Sequence, residues 1–320
     1  MNLKKIGLTA LAASLVSTSV FAGEVTVKGG ASMNVEGYTG TDQDAGKGFS
    51  MGNQLTFTGG GELDNGITVG ISFVLDQGDN ATAAAGPFDG HSVSISSDAL
   101  GKLVMHGEGG SSAQAAMDKT AAGDIWDLFD SSTANVGTKV STSTSGADIM
   151  VYTLPTMIDG VALVASYSPQ ESLTSSAISY SATYTGIDGL SVGYGMGEVA
   201  AGTAATEADA TTVKVSYAYG PLTVAYSDND YATMVADKDQ QTTSYKVSYT
   251  VSDALSVSYG SEEIEKESST LDASFERLSA SYTSGGMTLS ASVAESTDAA
   301  HSSATSDDRD YWSLGLSFAF

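Results

Sequence analysis

The chain has 320 residues, with 38 acids against 13 bases, a formal net charge of −25, 36 glycines, 15 tyrosines and no cysteine. That balance excludes nucleic acid as a partner, because phosphate contacts need clustered Lys and Arg. The missing cysteines exclude a disulfide framework or a thiolate metal site, while a strong negative field favours cations.

Lys4 and Lys5 precede an apolar stretch over 6–20, and Val20-Phe21-Ala22 forms a small-residue cleavage site, which together predict a signal peptide over 1–22. The predicted mature chain, 23–320, carries 11 bases against 38 acids, a net charge of −27. No other segment approaches the ~20 predominantly apolar residues of a membrane-spanning helix. An exported chain without such a helix is either soluble or a closed barrel, since only helices and closed barrels satisfy every backbone polar group in lipid.

Residues 24–38 alternate, with Val25, Val27, Met33 and Val35 on one face and Lys28, Ser32, Asn34 and Glu36 on the other. A strand with that period has one apolar face. A Gly- and Asp-rich loop over 39–48 follows, then a strand over 50–63, the turn signal Asp64-Asn65-Gly66, and a strand over 67–75. From there one unit repeats: strand, short turn, strand, longer loop. Val93 and Ile95 lead into a turn at 98–101, 102–108 is a strand, and 148–154 and 160–167 flank Pro155-Thr156-Met157-Ile158-Asp159. Four further pairs turn at 186–189, 220–221, 252–254 and 284–286. The closing segment runs over 311–320, with Trp312, Leu314, Leu316, Phe318 and Phe320 on one face.

The count is about 16 strands, with seven short turns at one end and eight longer loops at the other. Within this series the strand bases Lys28, Lys102, Lys214, Lys246 and Arg277 all fall on the polar parity. That is the side facing water in a barrel, where a charge set toward lipid at mid-height costs about 2–4 kcal/mol. The fold class expected is all-β, a transmembrane antiparallel β-barrel with termini on the short-turn side.

The leader, the strand-turn-strand-loop series, the segment Tyr152-Thr153-Leu154-Pro155 through Asp159-Gly160 to Ala165-Ser166-Tyr167, and the terminal Phe320 resemble a general diffusion porin of Gram-negative bacteria, of alphaproteobacterial type. The resemblance covers the whole mature chain. It implies an outer-membrane homotrimer passing small hydrophilic solutes and ions, a third loop folded into the lumen, Phe320 as the sorting signal read by the barrel-insertion machinery, outer-membrane lipid around the barrel, and no cofactor or enzyme activity.

The third long loop, 109–147, far exceeds the usual length of a structureless connection. Ser111 or Ser112 is placed to cap a short helix over 113–117, and Ile125, Trp126, Leu128 and Phe129 need burial that the inner wall offers. The expectation is an inward-folded loop presenting Asp118, Asp124, Asp127 and Asp130. Opposite such a loop a porin of this type carries wall bases, and Lys28, Lys102, Lys214, Lys246 and Arg277, with His106, are the candidates. The excess of acids predicts a modest cation preference.

Other patterns carry less. Gly189-Leu190-Ser191-Val192-Gly193 matches the nucleophile elbow of hydrolases but opens a strand after a turn, where that motif needs a helix to follow. His91, His106 and His301 have no metal-ligand spacing. Asp228-Asn229-Asp230, Asp76-Gln77-Gly78-Asp79 and Asp307-Asp308 read first as solvated acids of outer loops, with Ca2+ binding as the alternative, because none has EF-hand spacing. The rival readings are a substrate-specific porin, a surface adhesin and an outer-membrane hydrolase. Strand tyrosines on the lipid parity, Tyr152 being ambiguous, favour an unspecific pore over an aromatic-lined one.

Overall fold

Alternating segments that bury one face in lipid must also pair both edges, and the computed structural model of the chain does so by closing. It describes residues 25–39, 46–76, 89–129, 143–170, 175–199, 207–236, 238–301, 303 and 308–320. The predicted leader, Asp130 and Asp307 fall outside these residues. The strands are β1 (Thr26–Thr39), β2 (Gly46–Glu62), β3 (Thr68–Asp76), β4 (Gly90–Ser97), β5 (Gly101–Glu108), β6 (Ile149–Thr153), β7 (Val161–Ser168) and β8 (Ala177–Tyr184). They continue as β9 (Leu190–Val199), β10 (Ala208–Tyr219), β11 (Leu222–Thr233), β12 (Gln240–Thr250), β13 (Leu255–Lys266), β14 (Ala273–Ser284), β15 (Met287–Thr297) and β16 (Arg309–Ala319).

Each strand pairs antiparallel with its sequence neighbours, and β1 pairs with β16 to complete a closed sixteen-stranded barrel. Closure removes the free sheet edges that would otherwise be orphaned in lipid. At the seam, Gly29 N–H donates to Phe320 O at 2.6 Å and Phe320 N–H to Gly29 O at 3.0 Å. The terminal ring lies where a β-carbon on residue 29 would sit. The Asp64-Asn65-Gly66 turn is a three-residue connection rather than a two-residue one: Gly66 N–H reaches Leu63 O, Leu63 N–H reaches Ile67 O, and Gly66 alone takes the left-handed conformation, at φ 79°.

The registers settle every face. Tyr152 lies beside Leu103 and Ala165, and Ala165 beside Tyr180, which puts Tyr152 on the lipid side with its hydroxyl donating to Leu100 O at 2.6 Å. Tyr184, Tyr217, Tyr219, Tyr249 and Tyr282 stand near the short-turn ends on the same outward parity, and Tyr167, Tyr180, Tyr194 and Tyr245 nearer the loop ends. Two such levels match the interfacial girdles of membrane barrels.

The outward face is not uncharged throughout. Asp228-Asn229-Asp230 belongs to β11, not to an outer loop, because the ladder to β10 and β12 runs past the apolar alternation. At the loop ends of the later strands Glu198, Asp209, Asp228, Asp230, Glu263, Glu265, Glu276, Glu295 and Asp310 share the parity of the lipid-facing residues. On β1 to β8 the charged side chain with that parity is Lys47, among the described residues.

Candidate functional site: the third loop on the inner wall

Residues 109–129 and 143–148 turn inward and lie along the lumen side of β7 to β14, with Leu128 and Phe129 reaching on to Ala294 of β15, Tyr311 of β16 and Tyr38 of β1. The wall there is built from serine, threonine and glycine, whose small side chains leave room for a second layer of backbone. Ala113 N–H donates to Ser166 Oγ at 3.0 Å on β7, and Gln114 N–H to Ser179 Oγ at 2.7 Å on β8. Gln114 Nε2 donates to Thr212 Oγ1 at 2.9 Å on β10, while Gln114 Oε1 accepts from Ser143 N–H at 2.7 Å. Ala121 N–H reaches Ser227 Oγ at 2.8 Å on β11, and Ala122 N–H reaches Ser244 Oγ at 3.0 Å on β12. A buried loop carries backbone donors that must be paired, and successive wall hydroxyls pair these.

Glu262 of β13, 1 % exposed, accepts the Thr120 hydroxyl on one oxygen and Trp126 N–H at 3.0 Å on the other. A carboxylate buried this deeply is retained only where hydrogen bonds replace its water. On the neighbouring strand Arg277 donates to Ala122 O and Gly123 O, and Lys214 of β10 donates to Lys119 O. Gly260, beside Lys246 and Arg277 in register, faces Ala122: a β-carbon there would stand 2.7 Å from that of Ala122, so the close approach requires glycine.

The loop's apolar residues form the buried cluster of the barrel. Ile125 and Phe129 pack with Ala122 against Ile264, Ala273, Phe275, Ala294 and Tyr311, and Trp126 and Leu128 are partly covered. The Phe129 ring meets Phe275 at 5.8 Å and Tyr311 at 6.4 Å. Tyr38 OH donates to Leu128 O at 2.8 Å, which ties the loop's end to β1. Residues 113–117 form a turn rather than a short helix, with Ser112 Oγ accepting Ala115 N–H at 3.0 Å. Gln114, bonded to the wall at both backbone and side chain, holds that turn open. The one helical element described is a 3-10 turn at Ile125–Leu128, preceded by Asp124 at φ 55°.

Of the acids singled out from sequence, Asp118 and Asp124 are partly buried and Asp127 is exposed; Asp124 Oδ1 accepts Thr120 N–H at 2.9 Å. Lys214 lies within electrostatic reach of Asp124, Asp118 and Lys119, and Lys246 within reach of Arg277 and Lys119. Lys214, Lys246 and Arg277 therefore stand on the wall against which the loop lies, not across the lumen from it. Lys28 and Lys102 face inward near the short-turn end, and His106 faces inward near the base of the loop. Lys119, Glu262 and the hydroxyl series escaped the sequence reading. Lys119 is adjacent to Asp118 and was findable; Glu262 sits in a strand end whose other acids, Glu263 and Glu265, mask it.

The inward loop on a sixteen-stranded barrel defines a class, the membrane channel with a folded-in third loop. Residues 7–276 match the family model described as Gram-negative porin, and the chain belongs to that family. Solved structures agree in fold. An anion-selective porin from Comamonas acidovorans is 16 % identical with a TM-score of 0.72, covering 93 % of this chain and 99 % of its own. OmpT of Vibrio cholerae lacking loop L8 is 13 % identical with a TM-score of 0.69, covering 93 % and 100 %. A Rh. blastica porin variant is 17 % identical with a TM-score of 0.64, covering 93 % and 100 %. No curated protein matches the sequence. The family and fold are those of an outer-membrane channel for passive diffusion, a non-enzymatic class.

Proposed function

We propose that this protein is a general diffusion pore whose lumen is narrowed by its third loop, through residues 109–129 and 143–147, passing small hydrophilic solutes and ions with a modest preference for cations. The observation that carries the reading is the train of hydrogen bonds from Ala113, Gln114, Ala121, Ala122 and Trp126 to the wall, which holds the loop inside the lumen rather than over its mouth. The cation preference follows from the net charge of −27 on the predicted mature chain and from Asp118, Asp124 and Asp127 on the loop, with Asp130 assigned the same role. It is held to a modest level by Lys119, Lys214, Lys246 and Arg277 alongside. Charged groups at close quarters sort solutes by sign in this way. Lys28, Lys102 and His106 shape the field toward the two mouths.

In the same reading the leader 1–22 is removed on export, Phe320 serves as the address for barrel insertion, and the mature barrel works as a homotrimer in outer-membrane lipid. No cofactor is required in this reading, and the acidic outer rim, where Glu263, Glu265 and Asp272 bring carboxylate oxygens within 4.8 Å of one another, is the place where Ca2+ would associate. Planar-bilayer recording under a KCl gradient tests the central statement: a reversal potential favouring potassium is expected, and one favouring chloride refutes the charge assignment. Liposome swelling should fall smoothly with sugar size; a sharp preference for one sugar among equals would mark a substrate-specific porin instead.

A further inference from the structure

The wall bases expected across the lumen stand behind the loop, so a different group faces the loop's edge. The open wall runs from β15 through β16 and β1 to β3. Its bases, among the described residues, are Lys28 near the short turns, Lys47 on the outward parity and Arg309, which is only 5 % exposed. The inward position that adjoins the edge of the loop carries an acid instead, Glu36 of β1. Its neighbours on the same face, Asn34, Ser313 and Ser292, are neutral.

Two tyrosines fix Glu36 at that place. Tyr38, the next inward residue on β1, donates to Leu128 O at 2.8 Å. Tyr311, its register partner on β16, lies 4.9 Å from the Tyr38 ring and 6.4 Å from the Phe129 ring, and its hydroxyl donates to Glu36 Oε2 at 2.9 Å. One tyrosine pair thus holds both the end of the loop and the carboxylate. A carboxylate offers about four acceptor sites, and Tyr311 occupies one, which leaves capacity for a passing cation. A β-carbon at Gly48, the register partner of Glu36 on β2, would meet nothing within 4 Å, so that flank of the carboxylate is open. On the loop, Asp127 is exposed one residue before Leu128. Arg277, two strands from Tyr311 in the same register row, is turned to the Ala122 and Gly123 carbonyls.

We propose that Glu36 is the residue that sets the sign and strength of selectivity in this pore, and that it favours small ammonium-bearing solutes over neutral and anionic ones of the same size. Tyr311 is its positioning residue. A fixed carboxylate beside a narrowing acts on a passing charge more strongly than the same group in bulk water, because low-dielectric walls replace part of the solvent. Acid then stands at the loop's edge both on the wall and on the loop, where a base was expected on the wall. The inference rests on the reading of the barrel as a diffusion pore narrowed by its third loop, and the measurements below let either fail alone.

Glu36→Gln keeps the size of the side chain and an acceptor for Tyr311 and removes only the charge. Glu62→Gln removes another inward carboxylate, at the short-turn end of β2, and controls for net charge. Reversal potentials are measured in planar bilayers under gradients of KCl and of glucosamine hydrochloride. Glu36→Gln is expected to lower the cation-over-chloride permeability ratio several-fold in both salts, and Glu62→Gln to change it far less. Equal shifts in the two variants, or no shift at Glu36→Gln, overturn the assignment. A shift in KCl with none in glucosamine hydrochloride overturns the solute class. Tyr311→Phe, which keeps the ring against Phe129 and deletes the hydroxyl, should fall between wild type and Glu36→Gln; no change there overturns the positioning role. The sign of the wild-type potential tests the pore's overall charge assignment, whereas the difference between Glu36→Gln and Glu62→Gln tests this inference. Folded barrels that carry no current reject both.

Discussion

The two inner walls of the barrel are made from much the same residues and do different work. The wall over β7 to β14 spends its serines and threonines as acceptors for loop backbone, so Ser166, Ser179, Ser227 and Ser244 are all at most partly exposed and bonded to residues 113–122. On the wall formed by β15, β16 and β1 the hydroxyls bond across strands instead, as Ser292 does with Ser313 at 2.8 Å. A hydroxyl is a generic polar surface until a segment with matching donors arrives; then it becomes a docking point. Composition thus does not separate the hydroxyls that dock the loop from those that bond to one another. The spacing of donors on the loop does.

Substitutions should separate the walls in a definite order. Glu262→Ala removes the acceptors of the Thr120 hydroxyl and Trp126 N–H, and leaving a buried donor unpaired costs about 1–3 kcal/mol each. We expect the largest effect here: loss of amide hydrogen-exchange protection across 120–126 and a rise in single-channel conductance as the loop leaves the wall, with Glu262→Gln intermediate. Unchanged protection at Trp126 would mean that the carboxylate is not the latch. Next comes Gly260→Ala, whose new methyl meets Ala122 at 2.7 Å; overpacking of this kind costs about 1–3 kcal/mol. Its partner on the other wall, Gly30→Ala, meets nothing closer than 3.7 Å and should be silent in the same conductance and exchange measurements.

A smaller effect is expected from Ser244→Ala, which deletes one neutral acceptor and should cost about 0.5–1.5 kcal/mol, seen as faster exchange at Ala122 with conductance nearly unchanged. Smallest of all should be Ser292→Ala. Its lost partner, Ser313, is only part-buried and can turn to lumen water, so neither loop exchange nor conductance should move. If Ser292→Ala and Ser244→Ala behave alike, the contrast between the walls fails.

Most of the barrel was legible along the chain because strand alternation and the lipid's exclusion of charge act residue by residue. Val213, Val215 and Tyr217 need no distant partner to declare their face, and the bases Lys214, Lys246 and Arg277 show the other. The burial of Ile125 and Phe129 was legible too, since an apolar run inside a long loop has few places to go. The acid row Glu276, Glu295 and Asp310 was less so, because above the apolar band both faces are wet and alternation stops. What required the tertiary structure was where the third loop settles. Its contacts join residues as far apart as Ala122 and Arg277, 155 positions along the chain. Which bases end up beneath the loop depends on the shear and register of a closed sheet, a property of sixteen strands together. Local chemistry determined which side of each strand meets water; only closure decided which waterside groups meet one another.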